Sequence, residues 1–357
     1  MSARIPIWSR VVFLALLPFV IYSAWDYVEA RRLQSRLDAI QQRGESLELR
    51  RISPRGDALR AETLYRAAAV LATLRTASPR SVADSNRLGT LWRTGRWTPE
   101  TLALARADVE AGREALQLAD RAADLPFVNF LTGASYNFLI GDLVISLSRL
   151  MELRAAVAVS DGKGETALAS FYSEAQLARA LDVSPESMTP SGVFLPSFRG
   201  LGAAVSAAEA SPARERLAMA FSALDRDDRL KQALITGRAM MVSGGSELSF
   251  ARVGRYPPNP FVARIATNQL DAFAALIAVA DAPWPQRIEA VNAVDVWPFG
   301  FAGGRNAHTT FALRSFTKSI VAQVKQIRCA RLIVSPTALT LIDPFTGKPL
   351  ERSQCQL

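Results

Sequence analysis

The stretch Val11–Trp25, VVFLALLPFVIYSAW, carries no charged side chain and constrains the chain more than any other segment. On its own it is short for a membrane span, which needs about 20 residues to cross a hydrocarbon core of about 30 Å. Its flanks extend it. Trp8 stands before the run, and Trp25 and Tyr27 stand at its end. Indole and phenol rings favour the headgroup level, so Trp8–Tyr27 reads as a span with an aromatic belt at each end. Arg10 falls inside that frame, but its long stem can carry the charge back to the interface. Pro18 costs about 3 kcal/mol in a soluble helix interior, yet a membrane helix tolerates it as a kink. Residues 1–28 are therefore expected to form a transmembrane anchor, and residues 29–357 a helical domain.

Two other readings of the same stretch stay open. Arg4 and Arg10 before an apolar core, with Val28-Glu29-Ala30 after it, match a cleaved secretory signal. Acidic Asp26 and Glu29 in and beside that triplet argue against cleavage, as does a helical pattern that continues through Leu33, Leu37 and Ile40. A buried helix of a soluble protein is the remaining possibility. Arg31, Arg32, Arg36 and Arg43 outnumber Arg4 and Arg10, so the positive-inside count favours a cytoplasmic domain. Long domains translocate largely regardless of flanking charge, however, and the N-terminal tail is short. The expected topology is a single-pass signal-anchor in a bacterial inner membrane with a periplasmic C-terminal domain.

The rest of the chain has apolar content of 49%, enough for a core and too much for wholesale disorder. The net charge is +9, and lysine occurs only at Lys163, Lys231, Lys318, Lys325 and Lys348. The arginines are dispersed and interleaved with Asp and Glu instead of clustering as in nucleic-acid binders. They fit solvated helix faces, with a preference for anionic headgroups near the anchor; no specific nucleic-acid partner is expected. The two cysteines, Cys329 and Cys355, form no CxxC and have no Cys/His cluster beside them, so no zinc site is expected. In an oxidising compartment they could pair as a disulfide; they could equally be unrelated thiols.

Apolar spacings of three and four predict helices over Glu29–Gln42, Ala58–Ala77, Pro99–Ala123, Phe138–Val159, Glu165–Leu181, Gly200–Ala210, Pro212–Leu224, Arg226–Met241, Ala263–Ala280 and Thr309–Cys329. Gly44 is placed to stop the first of these. Thr98-Pro99-Glu100 supplies an N-cap, a first-turn proline and an acid at the positive helix end. Residues 281–305, rich in Pro, Gly and aromatics, read as a surface loop. Strand signal is confined to Arg331–Val334 and Ala338–Ile342. The pair of helices joined across Ser160-Asp161-Gly162-Lys163-Gly164 is a helical hairpin like one tetratricopeptide-type unit. That family's period of about 34 residues does not recur. The expected fold is all-α: an irregular, TPR-like stack of helical hairpins behind one transmembrane helix, with a short β/turn segment at the C-terminus.

The terminal Asp343-Pro344-Phe345-Thr346-Gly347-Lys348-Pro349-Leu350 follows the hairpin and the earlier Leu64-Tyr65-Arg66-Ala67 helix. This order resembles a family of uncharacterised bacterial membrane-anchored helical proteins with a C-terminal DPF-small-GKPL box. The resemblance implies architecture and no assigned activity. Read locally, residues 343–350 form a structural turn box. Asp343 accepts backbone hydrogen bonds beyond Pro344, Gly347 supplies a positive φ, and Phe345 and Leu350 tuck into the domain.

No catalytic signature emerges. The single histidine, His308, lies beside Gly303-Gly304, and Ser246 follows Gly244-Gly245, but there is no GxSxG elbow and no Walker Gly-Lys-Ser/Thr. No catalytic residue, cofactor or metal is expected. The leading expectation is a non-catalytic, membrane-anchored scaffold presenting an extracytoplasmic surface to an unidentified protein partner. Its alternatives are a hydrolase using Ser246 and His308, and a peripheral binder of anionic surfaces.

Overall fold

The computed structural model describes residues 7–47, 66–67, 70, 97–125, 138–182, 198–208, 211–243, 259–293, 305–335 and 340–355. Over these residues the protein is all-α. In chain order the helices are α1 (Ile7–Gln42), α2 (Pro99–Ala111), α3 (Arg113–Ala123), α4 (Phe138–Ser160), α5 (Gly164–Asp182) and α6 (Leu201–Ala207). They continue as α7 (Pro212–Leu224), α8 (Arg229–Ser243), α9 (Pro260–Val279), α10 (Gln286–Ala293) and α11 (Arg305–Val334), before a 3₁₀ turn at Arg352–Gln354. The expected helix Ala58–Ala77 lies almost wholly outside the described residues.

The first helix is one unbroken rod of 36 residues that contains Pro18, about 54 Å long at 1.5 Å per residue. It ends where the sequence places its stop: Gly44 has φ +72°, and Gly44 N donates to Gln41 O. At α2 the Thr98 side chain accepts from Thr101 N while Thr101 Oγ1 accepts from Thr98 N, a reciprocal cap with Pro99 in the first turn.

The α4/α5 hairpin is the most extensively packed pair. Its turn is three residues long, and Gly162 there takes φ +71°. One face of α5, with Leu168, Phe171, Ala175 and Ala178, joins Leu201 of α6, Leu217 and Phe221 of α7, and Ile327, Ala330 and Ile333 of α11 in the largest core cluster. Phe198 and Phe221 meet edge to face at 4.8 Å inside it. A second cluster packs Leu116 and Ala119 of α3 against Leu147, Leu150 and Met151 of α4. A third joins Leu234 of α8, Phe273 and Leu276 of α9, Val291 of α10 and Ile320 of α11.

Three expectations are corrected. The helix Pro99–Ala123 is two helices, α2 and α3, offset at Gly112. A Cβ at Gly112 would collide with Leu150 Cδ2, so glycine lets α4 approach, and the chain bends there. The expected loop 281–305 contains α10, whose Val291 is buried and whose Arg287 guanidinium stacks 4.2 Å from the Trp284 ring centre. The expected strand Arg331–Val334 is the last turn of α11. Its Ile333 and Val334 continue the helical face of Ile327 and Ala330, and burial of that face overrides the β preference of branched side chains. Beyond it, Ile342 makes one isolated antiparallel bridge to Pro349, and no strand occurs among the described residues.

Candidate functional site

The N-terminal helix changes character along its length. From Val12 to Tyr22 its described side chains are all exposed, including Phe13, Leu14, Leu16, Phe19, Val20 and Ile21. Exposed apolar patches of this kind mark membrane or partner contacts. The helix is long and apolar enough to span a bilayer. The second part is docked on the domain. Glu29, Leu33 and Ile40 are buried, and Leu33 and Ile40 join Ala263, Ala266 and Leu270 of α9 in a small core of their own. Trp25 and Phe261 pack edge to face with ring centres 4.5 Å apart. Eleven residues on, Arg36 Nε lies 2.6 Å from Asp271 Oδ1. These two pairs require α1 and α9 to run parallel, with the start of α9 level with Trp25.

Polar contacts secure this join. Trp25 Nε1 donates to Glu29 Oε1 at 3.3 Å, and Arg32 Nη1 donates to the same oxygen at 3.2 Å. Just past α1, Glu45 accepts from Arg43 at 2.7 Å and from Arg238 of α8. The Arg238 side chain is 1% exposed. Burial pushes the Glu45 carboxyl upward, but hydrogen bonds and charge from Arg43 and Arg238 outweigh it and hold the carboxyl below its ordinary value.

The hairpin carries the other concentration of polar contacts, part-buried around Arg154 and buried around Glu174. Arg154 of α4 donates to both oxygens of Asp120 on α3, at 2.6 and 2.8 Å, and to Ser170 Oγ on α5 at 2.8 Å. Ser173 donates to Asp120 at 2.7 Å. These bonds fix three helices to one another. Deeper, Glu174 is fully buried and accepts from Ser148 Oγ at 2.5 Å, while its second oxygen has no partner. Burial raises its carboxyl well above the ordinary range and the Glu152 charge raises it further, against the bond from Ser148. A cavity of about 150 Å³ lined by Trp97, Glu152, Phe171 and Arg199 adjoins Glu152. It is smaller than the roughly 300–1,000 Å³ usual for small-molecule sites.

The C-terminal box is a clasp on α11. Asp343 Oδ1 accepts from Phe345 N at 2.8 Å, Asp343 O accepts from Gly347 N at 2.8 Å, and Gly347 has φ +67°. Lys325 of α11 donates to Asp343 Oδ2 at 2.8 Å. Leu350 is buried, whereas Phe345, expected to tuck in, is exposed with Lys325 beside its ring. The reason is local: Asp343 is buried against Lys325, and Phe345 stands in the turn that follows it. Cys329 of α11 and Cys355 are joined in a disulfide with Cα atoms 5.2 Å apart.

Ser246 and His308 are the sequence candidates for catalysis. Ser246 lies outside the described residues, and His308 is in the first turn of α11. Among the described residues no three His, Cys, Asp or Glu side chains are placed to hold a metal ion. The acidic pair Asp227-Asp228 engages arginines: Asp228 accepts twice from Arg226, and Asp227 accepts from Arg328 at 2.8 Å. Sequence reasoning missed Asp225, whose carboxylate is buried between Arg328 and Arg331. Its only signal was an acid at the end of α7 opposite an Arg-x-x-Arg turn of α11. No family model matches this chain, and no curated protein or solved structure proves similar to it.

Proposed function

We propose that the protein is a single-pass, membrane-anchored helical scaffold whose domain stands outside the cytoplasm of a bacterial cell and presents its surface to a protein partner. The observation that carries this reading is the divided character of α1, bare and apolar before Trp25 and packed into the domain after it. A soluble core helix would bury the first part, and a signal cleaved after Ala30 would strip Trp25 and the buried Glu29 from the domain. The triplet Val28-Glu29-Ala30 lies inside continuous helix, with Glu29 buried, which supports an uncleaved anchor. The Cys329–Cys355 disulfide supports an oxidising compartment. The polar contacts around Arg154 tie three helices to one another, which supports a scaffold over a hydrolase.

The test is fractionation of the native protein with N-terminal sequencing. Retention in the membrane under carbonate wash, with the N-terminal helix intact, is expected. A mature N-terminus near Arg31 overturns the anchor. Cross-linking in the native membrane then identifies the partner, and a domain protected from external protease in spheroplasts overturns the topology.

A further inference from the structure

We propose that the start of α9 is a second membrane contact, which dips into the bilayer interface beside α1 and sets how the domain stands on anionic lipid. The inference rests on the anchor reading and goes beyond it by assigning a lipid-binding role to residues about 235 positions away in the sequence.

The parallel packing of α1 and α9 places Phe261 level with Trp25, the aromatic at the membrane edge of the span. From Trp8 to Trp25 the helix rises about 26 Å, close to the roughly 30 Å hydrocarbon thickness. Phe261 therefore reaches the bilayer surface wherever Trp25 does. Yet Phe261 is 49% exposed and the neighbouring Val262 is also exposed, although Ala263 and Ala266 behind them are buried. Tyr27 and Val28 extend the apolar surface around α1 at the same level. An apolar patch continuous with a spanning helix has the bilayer as its nearest apolar phase.

Charge fits the same placement. Arg264 is exposed one turn above Phe261, and Arg31 lies over the Tyr27 ring at 5.2 Å. At 1.5 Å per residue these cations stand about 4–9 Å beyond the Trp25 level. The headgroup layer is roughly 5–8 Å thick on each side, so Arg264 lies within it, and Arg31 at its outer edge lays its long stem back toward the phosphates. Arg32 adds a further exposed guanidinium next to Glu29. Backbone donors at the helix start need no lipid oxygen, because Asn259 Oδ1 already accepts from Phe261 N and Val262 N. The specificity should therefore come from the arginines.

The experiment uses the full chain reconstituted in vesicles of phosphatidylcholine with or without phosphatidylglycerol, with acyl chains brominated near the headgroup. A fluorescent thiol label is placed in separate variants at Phe19→Cys, Phe261→Cys, Val262→Cys and Ala278→Cys. The last is exposed near the far end of α9. Val262→Cys retains the Phe261–Trp25 contact, so a local disturbance at Phe261 does not decide the result. Labels at positions 19, 261 and 262 are expected to be quenched several-fold more than at 278. Combining Arg31→Gln and Arg264→Gln is expected to weaken quenching at 262 in phosphatidylglycerol vesicles and leave position 19 unchanged. Quenching at 19 alone, with 261 and 262 no different from 278, overturns this inference and leaves the anchor standing. Absence of quenching at 19 overturns both. Shielding at 262 that disappears when protein is diluted in lipid makes the occupant a second copy of the chain and also overturns it.

Discussion

Two helices of this protein, α1 and α9, are each long and apolar enough to cross a membrane, and they lie side by side. Only 6% of the apolar window of α1 is buried in the domain, against 44% for α9. Composition therefore does not separate them; partners do. The faces of α9 meet α1, α8 and α10, and Asp271 and Arg264 stand on its exposed side. The first part of α1 is exposed throughout Val12–Tyr22. An apolar helix that the fold covers is core, and one that the fold leaves bare needs another solvent.

The largest effect is expected where α9 is covered. Leu270→Asp would put a carboxylate between α1 and α9, and an unpaired buried charge costs several kcal/mol of a total near 5–15 kcal/mol. Loss of the cooperative thermal transition is expected. If Leu270→Asp melts like the parent, α9 is not core and the contrast with α1 collapses.

The same insertion of charge in α1 should spare the fold. Leu16→Arg adds about 2.5–3.5 kcal/mol to the cost of membrane insertion at the centre of the span. Carbonate-extractable protein with an unchanged melting temperature in detergent is the expected outcome. Unfolding in detergent would mean that the bare part of α1 is covered by protein after all.

The boundary between the two parts is sharpened at Glu45. Glu45→Ala leaves the buried Arg238 guanidinium without its carboxylate. Breaking fully buried pairs costs about 3–5 kcal/mol; because Glu45 is partly exposed, about 2–3 kcal/mol is expected by denaturant unfolding. A loss below the measurement error would place residues beyond Gly44 outside the domain's cooperative unit.

Glu45 and Glu174 give opposite dependences on pH. The folded domain lowers the Glu45 carboxyl, so its stabilisation holds above the ordinary value of 4.5 and is lost as pH falls through the folded value. For Glu174 the folded value is raised, so the protonated form is the one the fold favours. Stability is full below 4.5 and declines as pH rises through the folded value. Glu174→Gln retains an acceptor for Ser148 and removes the ionisation. It is expected to raise the melting temperature at pH 8 more than at pH 5. An equal shift at both would show that Glu174 is not charged or uncharged at the expense of the fold.

Much of this architecture is legible in the residues, because helices are written locally. The four-residue spacing of Leu33 and Leu37 foretold the packed face of α1, and Thr98-Pro99-Glu100 foretold the start of α2. The losses are tertiary. Gly112 looks like a tolerable glycine in a long helix until Leu150 is set against it. Ile333 and Val334 look like strand until the core under α11 is seen. The partners of Asp225 lie about 100 residues away, and no spacing within one segment can announce them. The parallel pairing of α1 with α9 is of the same kind: each helix is visible alone, and their register is not.

The smallest effect probes that register directly. Arg36 faces Asp271 with both guanidinium and carboxylate forked, Nε to Oδ1 at 2.6 Å and Nη2 to Oδ2 at 3.3 Å. Both side chains are about half exposed, so water and salt screen the pair. Exposed ion pairs contribute about 0.2–1 kcal/mol in double-mutant cycles, and two-point geometry favours the upper part of that range. Arg36→Ala and Asp271→Ala, measured singly and together by urea unfolding of the full chain in detergent, should show a coupling energy of this size. The coupling should shrink in 1 M salt, where the Debye length is about 3 Å. It is a small number, but it is specific to the parallel arrangement. An antiparallel α9 would carry Asp271 away from Arg36, and the cycle would return no coupling while each single change remained nearly silent.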